Sequence, residues 1–313
     1  MVIELPAVCA ATSAEFFADT SVTLMNALNC VDCLAFGAEA SDIANLTETA
    51  KFLTSENETF DQLIREKLKT GISYPAARAE VVAELCGENC AAVLREPNNI
   101  LAVEYLKALI SQNSDITPIL INRKAVKHDD TQIHGNFASA SHIRELIKEN
   151  GLQSAQHLVP PECAELYKSA KIHSMQAIEV AVLANLRRMT PELIAQIPDV
   201  SEGLENRIFE AAKEHKTLGK VIDAIQTKRY TYSRIRRIML HSYLEVTRND
   251  LISPQYLRIL DFSPQGQEIL NGIKKETTLP LTKNFSQLKK QGSAQAIQMW
   301  EQELVFDNLY ELC

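Results

Sequence analysis

Residues 137–147, with the sequence Phe-Ala-Ser-Ala-Ser-His-Ile-Arg-Glu-Leu-Ile, pass from small hydroxyl residues into a helical pattern. Small side chains leave the N–H groups of a first helical turn uncovered, and these donors, with the positive end of the helix dipole, suit a phosphate. Ser139 and Ser141 add hydroxyl groups, and Arg144 adds a planar cation. An ordinary serine N-cap followed by a solvated arginine has the same pattern. Taken alone, the segment leaves both interpretations open.

Upstream of this segment, apolar strands alternate with helices. Apolar residues recur at helical spacing over residues 13–28, after an expected helix cap at Thr12 or Ser13. Mostly apolar runs follow at 31–36 and 117–122. Residues 1–6 have the pattern of a short buried strand that ends at a proline. Such alternation predicts an α/β fold with a Rossmann-like parallel sheet and helices packed on it.

Polar residues lie where the predicted strands end, which is where open α/β sheets bind ligands. Gly37 follows the first run, and its missing Cβ allows a nucleotide to approach, although a plain turn glycine is as common. Arg123 and Lys124 follow the second run and suit a triphosphate, although solvated cations fit equally well. Asn98 belongs to a double asparagine before the helical segment 100–110. One asparagine is expected to cap that helix, which leaves the other amide for a base or a ribose.

Beyond Gly151, strand signals give way to successive helical segments. This change places a boundary near residues 150–154 and predicts two domains, an α/β domain over 1–150 and a mainly helical domain over 151–313. Trp300 is expected to anchor the final helix of the second domain.

One stretch of the second domain is strongly basic, although the chain as a whole has a net charge of −8. No acidic residue occurs between Lys228 and Tyr243. Lysine and arginine neutralise phosphates and tyrosine stacks on unpaired bases, which indicates an RNA site. The competing interpretation is an amphipathic helix that buries Ile235, Ile238 and Met239 and leaves its arginines solvated. The RNA-binding candidates are Lys228, Arg229, Tyr230, Tyr232, Arg234, Arg236 and Arg237.

Composition limits the remaining classes of protein. At 46% hydrophobic and 23% charged residues, the 313-residue chain resembles an ordinary globular protein, and no apolar run approaches the roughly 20 residues that a membrane helix needs. Seven cysteines, an odd number, favour free thiols and a cytoplasmic location. Cys30 and Cys33 form an isolated C-x-x-C pair and are expected to be core residues, so we assign no metal ligand.

Four sequence blocks together carry a family resemblance. They are Phe-Gly-Ala-Glu at 36–39, Pro-Asn-Asn-Ile-Leu-Ala-Val-Glu-Tyr at 97–105, the segment 137–147 and the basic stretch 228–237. In this order and spacing they resemble the tRNA(Met) cytidine acetate ligase family, a branch of the nucleotidyltransferase-like proteins, over most of the chain.

The resemblance implies a ligase that activates acetate with ATP as acetyl-adenylate and forms N4-acetylcytidine at the wobble position of elongator tRNA(Met). It implies ATP contacts at Gly37, Asn98 and Arg123, with Lys124 and the turn that contains Ser139, Ser141 and Arg144 beside them. Mg²⁺ is the expected counter-ion, and no residue is assigned as a covalent nucleophile.

One departure from the family pattern leaves alternatives open. Family members begin with a strand, a glycine-rich turn and a His-x-x-His element that holds ATP phosphates, and this sequence matches the part that follows. The α/β domain is therefore expected to be incomplete, with weak ATP binding and little turnover. A non-catalytic tRNA-binding protein and a nucleotidyltransferase for another small carboxylate are the alternatives.

Overall fold

The structure, a computed structural model, describes residues 1–39, 42–55, 58–122, 137–171, 173–201 and 203–313. Its strands are β1 (Val2–Ile3), β2 (Cys33–Ala38), β3 (Thr117–Asn122), β4 (Leu257–Asp261) and β5 (Leu281–Thr282). Its α-helices are α1 (Ala7–Ala10), α2 (Ala14–Leu28), α3 (Ile43–Thr54), α4 (Glu58–Lys69), α5 (Tyr74–Leu85), α6 (Glu88–Val93), α7 (Pro97–Ser111), α8 (Ala140–Asn150), α9 (Pro161–Tyr167), α10 (Glu179–Arg188), α11 (Pro191–Ile194), α12 (Leu204–Glu214), α13 (Leu218–Ile225), α14 (Tyr232–Leu244), α15 (Pro264–Ile273), α16 (Phe285–Gln291) and α17 (Ala294–Tyr310). Short 3₁₀ helices span Leu152–Leu158 and Arg248–Asp250.

β2 and β3 form a parallel pair. Their register runs from Cys33 opposite Thr117 to Ala38 opposite Asn122. Every second residue of β2 is buried, beginning at Leu34, because successive side chains of a strand point to opposite faces. The buried face packs on α2, α3 and α7. The predicted α/β class, with helices on a parallel sheet, is confirmed.

The helix α2 connects two hydrophobic clusters. It begins after Ser13, whose Oγ accepts a hydrogen bond from the Phe16 N–H at 3.4 Å, as the predicted cap requires. Val22 on one side packs with the residues under β2 and β3. Leu24 and Leu28 on another side pack with the residues of β4 and α15. The first helices of the chain are therefore held by its last third as well as by the parallel pair.

β1 pairs with β4 instead of joining the parallel pair. β1 and β4 are antiparallel, and β4 is parallel to β5, which gives the order β1-β4-β5. Val2 is 53% exposed, so the predicted buried strand over residues 1–6 is wrong: β1 lies at a sheet edge. Just beyond it, Arg258 Nη1 donates to Glu4 Oε2 at 2.7 Å. The division into domains at residue 150 stays a prediction, since the beginning of the chain packs on residues beyond 250.

Aromatic rings fill the core of the C-terminal third. Trp300 is 2% exposed, and its ring centroid lies 5.0 Å from that of Tyr256 and 6.0 Å from that of Phe285. Trp300 anchors α17 as predicted.

The helices α10–α14 enclose a separate apolar core. Ile235, Ile238 and Met239 are each completely buried in it, which confirms the predicted apolar face of α14. No helix among the described residues is long and apolar enough to cross a membrane.

Candidate functional site

Glu39 and two asparagines form a hydrogen-bonded network at the carboxyl end of the parallel pair. Glu39 follows the last residue of β2, and Asn98 and Asn99 lie in the first turn of α7. Asn98 Nδ2 donates to Glu39 Oε1 at 2.8 Å, and the Glu39 backbone N–H donates to Asn99 Oδ1 at 2.8 Å. Because Asn99 is only 3% exposed, the network fixes the position of Glu39, the residue after β2.

The role predicted for one asparagine as a helix cap is wrong. α7 begins at Pro97, with Glu96 at the N-cap position, so both asparagines lie inside the helix. Proline is favoured at this first position because its missing N–H would have no intrahelical partner. Both asparagine side chains then reach across to Glu39.

Gly37 lies within β2, opposite Ile121, whereas the sequence predicts that it follows the strand. It is exposed on the open face of the parallel pair. The strand continues through Ala38 because backbone pairing with β3 extends to Asn122. Arg123 and Lys124, predicted to lie next along the chain, fall outside the described residues.

The segment that follows residue 136 has the predicted helix start. Ser139 caps α8, where its Oγ accepts a hydrogen bond from the His142 N–H at 3.1 Å, and it is 1% exposed. Ser141 and Arg144 are exposed on the first turn, and the Arg144 guanidinium donates to Ser141 Oγ at 3.4 Å. The buried serine therefore serves the helix, while the exposed serine and arginine are accessible to a ligand.

The structure divides the basic stretch into two groups. In the first group, Arg234 donates to the Asp199 carbonyl at 2.9 Å and to Ser201 Oγ at 2.8 Å. Arg237 Nε lies 2.8 Å from Asp199 Oδ2. Asp199 has φ of 67°, a left-handed conformation that a non-glycine residue adopts only with support. Arg234 and Arg237 therefore hold the loop before α12.

The second group faces solvent. Lys228, Tyr232 and Arg236 are exposed and Arg229 is half-buried. The Arg236 guanidinium lies over the Tyr232 ring, 5.7 Å from its centroid. We call these residues the basic surface: Lys228, Arg229, Tyr232 and Arg236. Tyr230, by contrast, is 8% exposed within the helical core, so its ring does not present a face for stacking on a base as predicted.

A cavity of about 420 Å³ lies beside Arg236, between α14 and α17. Glu303 lines it, and burial raises the pKa of the Glu303 carboxyl to about 7. Glu303 Oε1 accepts a hydrogen bond from the Ala7 N–H at 2.7 Å. His173 and Tyr310 also line the cavity, and their rings stack with their centroids 4.1 Å apart.

Cysteine positions depart from the sequence expectations. Cys86 and Cys90 form a disulfide with Cα atoms 6.1 Å apart, so the prediction of free thiols is wrong for this pair. Cys33 is exposed on the open face of β2 and is not the predicted core residue, while Cys30 is half-buried. Among the described residues, the group of possible metal ligands that lies close together is Glu48, Cys86 and Cys90. Metals bind the thiolate form of cysteine, and the sulfurs of a disulfide are not thiolates, so Cys86 and Cys90 do not offer metal ligands.

Comparisons with known proteins decide the family. The model of the HIGH nucleotidyl transferase family matches residues 1–313. The chain belongs to this family. A tRNA(Met) cytidine acetate ligase of Thermoanaerobacter sp. (strain X514) is 36% identical over 321 residues, which are 100% of this chain and 79% of the relative. The enzyme of that name from Acetivibrio thermocellus is 34% identical over 100% of this chain and 80% of the relative.

Solved structures of this family have the same fold. The apo structure of Thermotoga maritima TmcAL has a TM-score of 0.91 at 29% identity, over 99% of this chain and 78% of that chain. The structure of that protein bound with alpha-thio ATP has a TM-score of 0.89 at 28% identity. The resemblance to tRNA(Met) cytidine acetate ligases and the nucleotidyltransferase-like fold are both confirmed.

The residue that sequence reasoning missed is Glu39. It is part of the quoted block at 36–39, yet a carboxylate repels phosphates and gave no reason to place it in a nucleotide site. Its contact with Asn98, 59 positions along the chain, identifies it.

Proposed function

We propose that this chain is an ATP-dependent tRNA(Met) cytidine acetate ligase, which activates acetate as acetyl-adenylate and forms N4-acetylcytidine at the wobble position of elongator tRNA(Met). The observation that carries the proposal is the partly buried Glu39–Asn98–Asn99 network at the carboxyl edge of a parallel pair, in a chain of this family. Open α/β sheets bind nucleotides at this edge. Relatives that match the whole chain and have this enzyme name support the specific reaction.

The chemistry explains why the site needs cations and N–H donors. An acetate oxygen forms a bond to the α-phosphorus of ATP, and pyrophosphate leaves. Both reactants are negatively charged, so a preorganised set of positive groups must offset their repulsion before the bond forms. We assign this role to Arg144 and the first turn of α8, with Arg123 and Lys124 from outside the described residues. Gly37, Asn98 and Ser141 complete the proposed ATP contacts, and Ser139 positions the first turn of α8 as its N-cap.

The second step transfers the acetyl group without a covalent enzyme intermediate. The N4 amine of cytidine attacks the acetyl carbon of acetyl-adenylate, AMP leaves, and the amine loses a proton. The basic surface is our proposed contact with the phosphates of the tRNA. Lys228 and Arg236 of this surface are exposed, whereas Arg234 and Arg237 contact the loop at Asp199, which supports the assignment.

Mg²⁺ is proposed to enter with the triphosphate. The ion prefers oxygen ligands and is commonly held by one or two carboxylates together with substrate phosphates. The part of the chain that the structure describes contains no group of three carboxylates close enough to hold it. Glu48 beside the Cys86–Cys90 disulfide does not fit the ion, because sulfur is a poor ligand for Mg²⁺.

The test is incubation of the chain with ATP, acetate and elongator tRNA(Met), followed by nuclease digestion and mass spectrometry of the nucleosides. We expect N4-acetylcytidine only when all three are present. The control reaction replaces acetate with propionate, which tests the alternative small carboxylate. Retained tRNA binding without any acylated cytidine would refute the proposed reaction and favour a non-catalytic tRNA-binding protein.

A further inference from the structure

One oxygen of the Glu39 carboxylate has no hydrogen-bond partner among the residues that the structure describes. Oε1 accepts from Asn98 Nδ2, whereas Oε2 is shielded from solvent and is unpaired. Leaving a buried polar atom unpaired is unfavourable, and more so when the atom carries charge. Native structures retain few such atoms, and each requires an explanation such as a ligand.

The contact with Glu39 also fixes the orientation of the Asn98 amide. If the amide were reversed, its Oδ1 would face Glu39 Oε1, and two acceptors would oppose each other. Nδ2 therefore points to the carboxylate, and Oδ1 points away from it. As a result, the network has two acceptors besides Oε1, which are Glu39 Oε2 and Asn98 Oδ1.

Two acceptors call for a ligand with two donors. The phosphates of ATP only accept hydrogen bonds, and a carboxylate repels them. The edge of adenine alternates donor and acceptor atoms, so an amide that offers both a donor and an acceptor would bind it better than two acceptors would. The vicinal 2′- and 3′-hydroxyl groups of ribose provide two adjacent donors.

We propose that Glu39 binds the ribose of ATP, with Oε2 accepting a hydrogen bond from one vicinal hydroxyl and Asn98 Oδ1 accepting from the other. This inference rests on the proposed function, and it adds that the site selects ribonucleotides over deoxyribonucleotides. Glu39 then keeps the ribose at the end of β2, which leaves the phosphates for cationic groups elsewhere on the rim.

The experiment measures binding of ATP, 2′-deoxy-ATP and 3′-deoxy-ATP to the full chain by isothermal titration calorimetry with Mg²⁺ present. Glu39→Gln is the test variant, because the backbone N–H of residue 39 still donates to Asn99 and the amide oxygen can still accept from Asn98. The matched control is Glu84→Gln on α5, which removes the same charge from an exposed position. Thermal melting of both variants checks folding.

We expect the wild type and Glu84→Gln to bind ATP about 10- to 100-fold more tightly than at least one deoxy analogue, the range for a hydrogen bond to a charged group. Glu39→Gln should bind ATP more weakly and lose most of this preference, whereas a merely structural role would weaken all three nucleotides equally. Equal binding of the three nucleotides by the wild type, or an unchanged preference in a folded Glu39→Gln variant, would overturn the inference and leave the proposed function standing. If the wild type binds no nucleotide, the proposed function fails and the inference fails with it.

Discussion

Replacing Lys228 and Arg236 together by Ala should weaken tRNA binding without unfolding the helical bundle. Each phosphate contact contributes about 0.7–0.9 to the slope of log affinity against log salt concentration, so the loss of both should reduce the slope by about 1.4–1.8. Stability should fall by no more than about 1 kcal/mol, because Lys228 and Arg236 are both exposed and the Arg236 guanidinium lies over the exposed ring of Tyr232.

Arg237→Ala should instead lower the stability of the chain and have a smaller effect on tRNA binding. Arg237 and Asp199 are 26% and 24% exposed, and they form an ion pair at 2.8 Å that supports a left-handed residue. Loss of a partly buried, charged hydrogen bond should lower the free energy of unfolding by about 1–2 kcal/mol. Since this guanidinium is engaged with the protein, we expect a smaller change in the salt slope than for Lys228 and Arg236.

Fluorescence anisotropy with labelled elongator tRNA(Met) over a series of salt concentrations measures the slopes, and urea denaturation measures stability. The matched control is Lys274→Ala with Lys275→Ala, which removes the same net charge from exposed positions after α15. The reasoning would be refuted if the Lys228/Arg236 variant keeps the wild-type slope, or if the control lowers the slope equally.

Two further predictions concern stability. The pKa of the Glu303 carboxyl is raised by burial from its ordinary value of 4.5 to about 7, so its contribution to stability is fully present below pH 4.5 and is lost as the pH rises through 7. Glu303→Gln should therefore lose less stability than the wild type between those pH values, and identical pH dependence in thermal melts would contradict this. Glu104→Gln should lower the free energy of unfolding by about 3–5 kcal/mol, because the Glu104 carboxylate, which is 3% exposed, pairs with Arg78 at 2.7 Å and with Lys107 at 2.8 Å. A loss below about 1 kcal/mol in urea denaturation would show that these two ion pairs contribute little.

Local sequence signals predicted the elements that depend on neighbouring residues. The caps at Ser13 and Ser139 and the apolar face of α14 follow from side chains within one or two helical turns. The parallel pair follows from two apolar runs separated by helices. In each case the information lies within the element, so the sequence alone is sufficient.

Long-range contacts account for what the sequence did not predict. β1 pairs with β4, more than 250 positions along the chain, and no residue of the first six identifies that partner. Arg234 and Arg237 have the same local pattern as Arg236, and only the position of Asp199 separates them. The contact of Glu39 is also long-range, because it depends on a side chain of α7. Which arginines are engaged with the protein and which carboxylate contacts Asn98 are therefore properties of tertiary packing.

Acetate-dependent exchange of labelled pyrophosphate into ATP tests the central claim most directly, since it reports formation of acetyl-adenylate in the absence of tRNA. The proposed function predicts exchange that requires both acetate and the chain, and that is reduced by Asn98→Ala, which removes one side of the network at the end of β2. Absence of acetate-dependent exchange by a folded chain that binds ATP would contradict the proposed activation of acetate.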